Sequence, residues 1–110
     1  MSLENIGRHP LKSITSPVHR ALGEAIKEAR LRERLTQTDV AEKLEWPQNR
    51  ISMIERGGRY VDVAELVELA WAIGPSAHEI LKRATEIAGP SLSAQRHRLR
   101  KRPRKPPKAP

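Results

Sequence analysis

The 110-residue chain has no cysteine, so a disulfide framework and a thiolate metal site are both excluded, and a reducing compartment fits. It has no long apolar run either. The longest unbroken one, Leu69-Ala70-Trp71-Ala72-Ile73, falls far short of the roughly 20 residues a membrane-spanning helix needs. Met1 to Pro10 holds nothing like the apolar stretch of a signal peptide. The expectation is a soluble, cytoplasmic protein with no membrane partner. His9, His19, His78 and His97 are scattered without metal-ligand spacing, and no motif sets a serine or a carboxylate pair beside a base. Nor is there a phosphate-cradling glycine loop, since Gly57-Gly58 reads as a helix end. No catalytic residue, metal or cofactor is expected, and the chain does not read as an enzyme.

Negative charge is missing from one region in particular. Residues 90–110 carry eight basic residues and no acidic one, whereas residues 18–89 carry 11 basic against 12 acidic. Residues 1–17 add Arg8 and Lys12 against Glu4. The formal net charge of +8 therefore belongs to the tail, and nucleic-acid binding by the central region must rest on where individual charges sit. Three regions follow: an arm at 1–16 without periodicity, a domain at 17–89, and a proline-rich basic tail at 90–110. The tail has too little apolar surface to offset its ordering entropy and is expected to be disordered when free. Its run Arg96-His97-Arg98-Leu99-Arg100-Lys101-Arg102, with Arg104, Lys105 and Lys108, either adds phosphate contacts or is simply solvated.

Within the domain the punctuation predicts five helices and no strand. Ser16-Pro17 is a start signal, and the first helix should run to about Arg34 with Val18, Leu22, Ile26 and Ala29 inward and Leu31 on the opposite side. Thr36 caps a second helix from about Gln37, with Asp39 completing a capping box and Val40, Ala41 and Leu44 forming its apolar face. Pro47 pushes Trp46 out of helical backbone space and opens a third helix, with Ile51 and Ile54 inward and Gly57-Gly58 at its end. Asp62 to Glu65 repeats the cap signal for a fourth, with Val63, Leu66, Val67, Ala70 and Ile73 inward as far as Gly74-Pro75. Ser76 to Glu79 opens a fifth, carrying Ile80, Leu81, Ala84 and Ile87 to a stop at Gly89-Pro90. Two short helices across so tight a turn at Glu45-Trp46-Pro47 form a DNA-reading helix-turn-helix.

At about 100° per residue, Ile51 and Ile54 inward place Asn49, Ser52, Met53 and Arg56 outward on the third helix, with Gln48 and Arg50 flanking its N-terminal end. That end of a recognition helix approaches base edges. Gln48 and Asn49 carry amides suited to adenine, Arg50 suits a guanine or a phosphate, and Met53 suits a thymine methyl or, equally, the edge of the core. Ser52 and Arg56 offer donors to phosphates, as does Arg59 on the following loop. Gln37, in the first turn of the second helix, sits where a phosphate oxygen is favoured. On a helix outside such a frame, all of these would be ordinary solvated surface. Glu55 lies about 70° from the centre of the buried face and reads as structural.

The stretch from about Val18 to Ala88 resembles the helix-turn-helix family of phage Cro and repressor proteins, also called the XRE family. The resemblance is carried by Leu35-Thr36-Gln37, Ala41-Glu42-Lys43-Leu44, Ile51-Ser52, Ile54-Glu55-Arg56-Gly57 and Leu66…Leu69-Ala70…Ile73-Gly74, in that order and spacing. It implies an all-α, lambda-repressor-like fold. It implies that Gln37 binds backbone phosphate and braces Gln48, that Glu55 pairs with Arg30, and that Arg59 lies along the DNA backbone. One departure is Glu45, where the family usually has glycine, so the turn is expected to be strained or differently shaped.

A folded part of about 70 residues has a marginal core. Trp71, Leu81 and Ile87 either line a two-fold interface or complete the monomer core. The leading functional expectation is a sequence-specific, double-stranded-DNA-binding transcription regulator, a homodimeric repressor on an inverted-repeat operator, in a bacterial or phage-type cytoplasm and on the nucleoid when bound. Two alternatives stand beside it: an antitoxin that binds a toxin and represses their joint promoter, and a bridging coactivator whose domain binds protein.

Overall fold

The computed structural model describes residues 16–100, with side-chain surroundings as far as Ala94. The expected arm before Ser16, and the tail beyond Arg100, lie outside the described residues. Among the described residues every element is a helix: α1 (Pro17–Arg32), α2 (Gln37–Leu44), α3 (Gln48–Glu55), α4 (Val63–Ile73) and α5 (Ala77–Arg100). The fold is all-α, as the hydrophobic and capping pattern predicts.

Each start has a local chemical cause. The Ser16 side chain accepts the His19 N–H at 3.3 Å, and Pro17 stands in the first turn of α1, where a missing N–H costs nothing. Thr36 and Asp39 cap α2 reciprocally: Asp39 N donates to Thr36 Oγ1 at 2.9 Å and Thr36 N to Asp39 Oδ2 at 2.8 Å. Asp62 and Glu65 do the same for α4. Ends are set by backbone conformation. Gly57 (φ 73) follows α3 and Gly74 (φ 131) caps α4, both at angles that side chains rarely adopt.

The core is Ile26, Val40, Ile51, Ile54, Leu69 and Ile80, closed by alanines of α1, α4 and α5. Ala21, Ala25 and Ala29 keep one side of α1 thin, and Gly23 does the same for the side that meets α3. A Cβ on Gly23 would stand 2.3 Å from the carbonyl oxygen of Ile54, so the backbones of α1 and the end of α3 meet directly. That approach seats the end of α3 tightly on the domain.

Four expected core residues lie at the surface instead. Val63 and Val67 are exposed because α4 buries a face rotated from the expected one, holding Leu66, Leu69, Ala70, Ala72 and Ile73. This helix is apolar nearly all round, so periodicity alone does not select a face. Val18 belongs to the inward stripe of α1 by spacing but sits in its first turn and remains 45% exposed. Leu81 lies at the flank of the α5 stripe formed by Ile80, Ala84, Ile87 and Ala88, and is also exposed. Ile87 packs against the core, which leaves Trp71 and Leu81 outside.

The expected stop at Gly89-Pro90 does not occur: α5 continues through Pro90 to Arg100. Gly89 is not among the residues of positive φ, so it supplies no reversal. Proline carries a helical φ of its own and removes one hydrogen bond, and no second breaker follows before Pro103. Residues 91–100 therefore continue α5 as helix.

Candidate nucleic-acid interface

The turn between α2 and α3 is made by Glu45 in the left-handed conformation (φ 58, ψ 39), which lets the Trp46 N–H return to the Ala41 carbonyl at 2.9 Å. A side chain there costs about 1–2 kcal/mol that glycine avoids. Pro47, extended at ψ 143, caps α3 and sends it off in a new direction. It stands just before the helix, not inside its first turn.

Gln48, Asn49 and Met53 are exposed on α3 and Arg56 is exposed at its C-cap, while Ser52 and Arg50 are half-buried. From the core to the tip of this helix runs one connected chain of hydrogen bonds. The Arg30 guanidinium, buried in α1, donates through Nε to Glu55 Oε2 at 2.6 Å and through Nη2 to Oε1 at 3.0 Å. Its Nη1 donates to the Leu35 carbonyl at 2.8 Å, tying the α1–α2 loop to the same group. The hydrogen bond to Glu55 outweighs burial and holds the arginine above its ordinary pKa. Gln37 Nε2 donates to Glu55 Oε1 at 3.0 Å, and Gln48 Nε2 donates to Gln37 Oε1 at 2.5 Å. A carboxylate paired with arginine only accepts, so Gln37 must offer it nitrogen and turn its oxygen toward Gln48. Gln48 is left with Oε1 and one N–H for solvent or a ligand, an acceptor and donor side by side.

The arginines are engaged differently. Arg50, expected at a base or phosphate, turns back: Nη2 pairs with Glu65 at the start of α4, and the guanidinium lies 3.8 Å from the centre of the Trp46 ring. Its Nε is buried with no hydrogen-bond partner among the described residues. Arg59 reaches the same carboxylate, with Nη2 3.2 Å from Glu65 Oε2, and donates through Nη1 to the Tyr60 carbonyl at 3.0 Å. Burial works against ionisation of Glu65, but donors from the Asp62 backbone, Arg59 and Arg50 overcome it and bring the carboxyl down to about 2. Arg56 stays at the surface, donating from Nε to the Ser52 carbonyl at 3.3 Å. Sequence reasoning missed the Glu65 cluster. Its only signal was the capping-box glutamate, read as a helix start and nothing more.

The arrangement can therefore present amides, a thioether and a hydroxyl on the outer side of α3, with Gln37 at the open N-terminus of α2 beside them. Among the described residues no group of three or more histidine, cysteine, aspartate or glutamate side chains could hold a metal ion. No helix among them is long and apolar enough to cross a membrane.

Residues 26–76 match a family model described as helix-turn-helix. The matched stretch runs from the middle of α1 to the residue before α5 and contains α2, the turn and α3 whole. That stretch is similar to helix-turn-helix domains, which supports the resemblance to the Cro and phage-repressor (XRE) type and a DNA-binding regulatory role. No curated protein matches the chain.

Proposed function

We propose that this DNA-binding regulator reads sequence in the major groove with α3, as a homodimeric repressor on an inverted repeat whose half-sites lie about 10–10.5 base pairs apart. The observation that carries the reading is Gln48: exposed at the first position of α3 and pre-oriented by Gln37, it offers the acceptor–donor pair that adenine complements. Asn49 and Met53 stand beside it, one for a second adenine and one for a thymine methyl. Gln37, Ser52 and Arg56 are the phosphate contacts that set register, and Arg59 joins them from its loop. Selection of binding sites from random duplexes tests this directly. A palindrome is expected, and Gln48→Ala with Asn49→Ala should abolish its enrichment while leaving weak, salt-sensitive binding.

Dimerisation has its own support in Trp71, 73% exposed on α4, and Leu81, 47% exposed on α5. With Val63 and Val67, also exposed and four residues apart on the same helix, Trp71 extends an apolar stripe of the kind that marks an interaction surface. Sedimentation at micromolar concentration should give a dimer, and Trp71→Glu a monomer. The same exposed residues favour the second reading, an antitoxin or other regulator that covers them with a different protein. That reading requires a stable hetero-complex to co-purify.

A further inference from the structure

Arginine is the commonest reader of guanine, through two donors to O6 and N7, and α3 has one arginine, Arg50, beside the amides that face the groove. Three observations set it apart from them. Its guanidinium is paired with Glu65 across the gap between α3 and α4. Its plane rests on Trp46, so the ring shields one face from water. Its Nε is already buried, so the stem of the side chain lies folded on the domain and does not extend along α3.

Glu65 is itself immobilised. It accepts the Asp62 N–H at 3.0 Å in the capping box and receives Arg59 from the loop, and it stands at the positive end of the α4 dipole. Withdrawing Arg50 toward a base would strip that carboxylate of a partner and uncover the Trp46 ring. Both are losses that a guanine contact must first offset.

We infer that Glu65 is a specificity-determining positioning residue: by clamping Arg50 against Trp46 it withholds the arginine of α3 from base edges, so that the DNA this chain prefers carries no required guanine opposite residue 50. The inference rests on the reading of α3 as the recognition helix. It assigns the groove-facing chemistry to Gln48, Asn49 and Met53, a set that recognises A·T pairs by amide and methyl contacts. With its carboxyl brought down to about 2 by these donors, Glu65 keeps the charge that pairs with Arg50 at neutral pH.

The test is parallel selection from random duplexes with the full chain, Arg50→Met, Glu65→Gln and the double variant, each first checked for helical circular dichroism and cooperative melting. Glutamine keeps an oxygen for the Asp62 N–H, so the cap survives while the charge is lost. The expected result is that the wild type and Arg50→Met enrich the same sequence with affinities within about threefold. Glu65→Gln should gain about tenfold or more for guanine at one pair next to the amide-read pairs, the discrimination of a bidentate contact, and the double variant should lose that gain. A wild-type motif containing a guanine that Arg50→Met erases would overturn the clamp, and so would a Glu65→Gln motif identical to that of the wild type. Arg50→Met alone keeps the idea falsifiable should Glu65→Gln fail to fold. Failure of every folded protein to enrich any sequence would overturn the recognition-helix reading, and the clamp with it.

Discussion

At the scale of single residues, two charged groups organise the α2–α3 region from opposite sides. Arg30 holds Glu55 from the α1 side with both side chains almost wholly buried, 8% and 2% exposed. Among the described residues, removing the cation leaves a buried carboxylate with the Gln37 amide as its side-chain donor, and Arg30→Ala is expected to lower stability by roughly 2–4 kcal/mol in urea unfolding. Glu65 governs the other side and makes the fold sensitive to acid. Its folded pKa of about 2 lies below the ordinary 4.5, so its contribution is complete above about pH 5 and is lost as pH falls from 4.5 toward 2. Urea midpoints taken down that range should drop more steeply for the wild type than for Glu65→Gln. The Arg30–Glu55 pairing was legible beforehand from family resemblance together with the position of Glu55 on its helix. The Glu65 cluster was not, because Arg50, Arg59 and Glu65 come from three separate segments and no local spacing connects them.

Among the elements, boundaries were easier to read than faces. A cap is a matter of three or four adjacent residues, and Thr36 with Asp39 or Asp62 with Glu65 announces itself in sequence. A face depends on what packs against it. Hence α4, apolar on most sides, buried Leu69 and Ala72 while Val63 and Val67 stayed outside. The glycine of α1 carried no sequence signal either. Gly23 sits mid-helix, where glycine merely looks unfavourable, and its reason is the Ile54 carbonyl from another element. Pro90 misled in the other direction, since a proline signals a boundary only when the neighbouring backbone also departs from the helix. The turn itself holds a removable strain. Glu45→Gly relieves a left-handed residue, less the greater freedom of glycine in the unfolded chain, and should stabilise by about 0.5–1 kcal/mol in thermal melting.

For the whole molecule, charge and structure are divided unevenly along the chain. The helix-turn-helix region is close to neutral, and the eight basic residues of 90–110 lie beyond the segment that matches the family. If those residues meet the phosphate backbone, deleting 90–110 should flatten the slope of log K against log salt by about 0.9 for every phosphate they neutralise, with the selected sequence unchanged. An unaltered slope would mean that all ionic binding comes from the domain. A flattened slope would make sequence preference and general affinity separable properties of two regions, one measured by the motif and the other by salt.

The line of donors from Arg30 to Gln48 has a direction, because each link dictates which way the next amide faces. How the Gln48 amide stands at the tip of α3 is thus decided inside the protein, and on the proposed reading little side-chain entropy is left to surrender on docking. The same wiring makes the interior a silent author of the code. On the reading of Gln48 as a base contact, a substitution at Glu55, buried away from the surface, should release Gln37, free the Gln48 amide to turn and blur adenine from guanine.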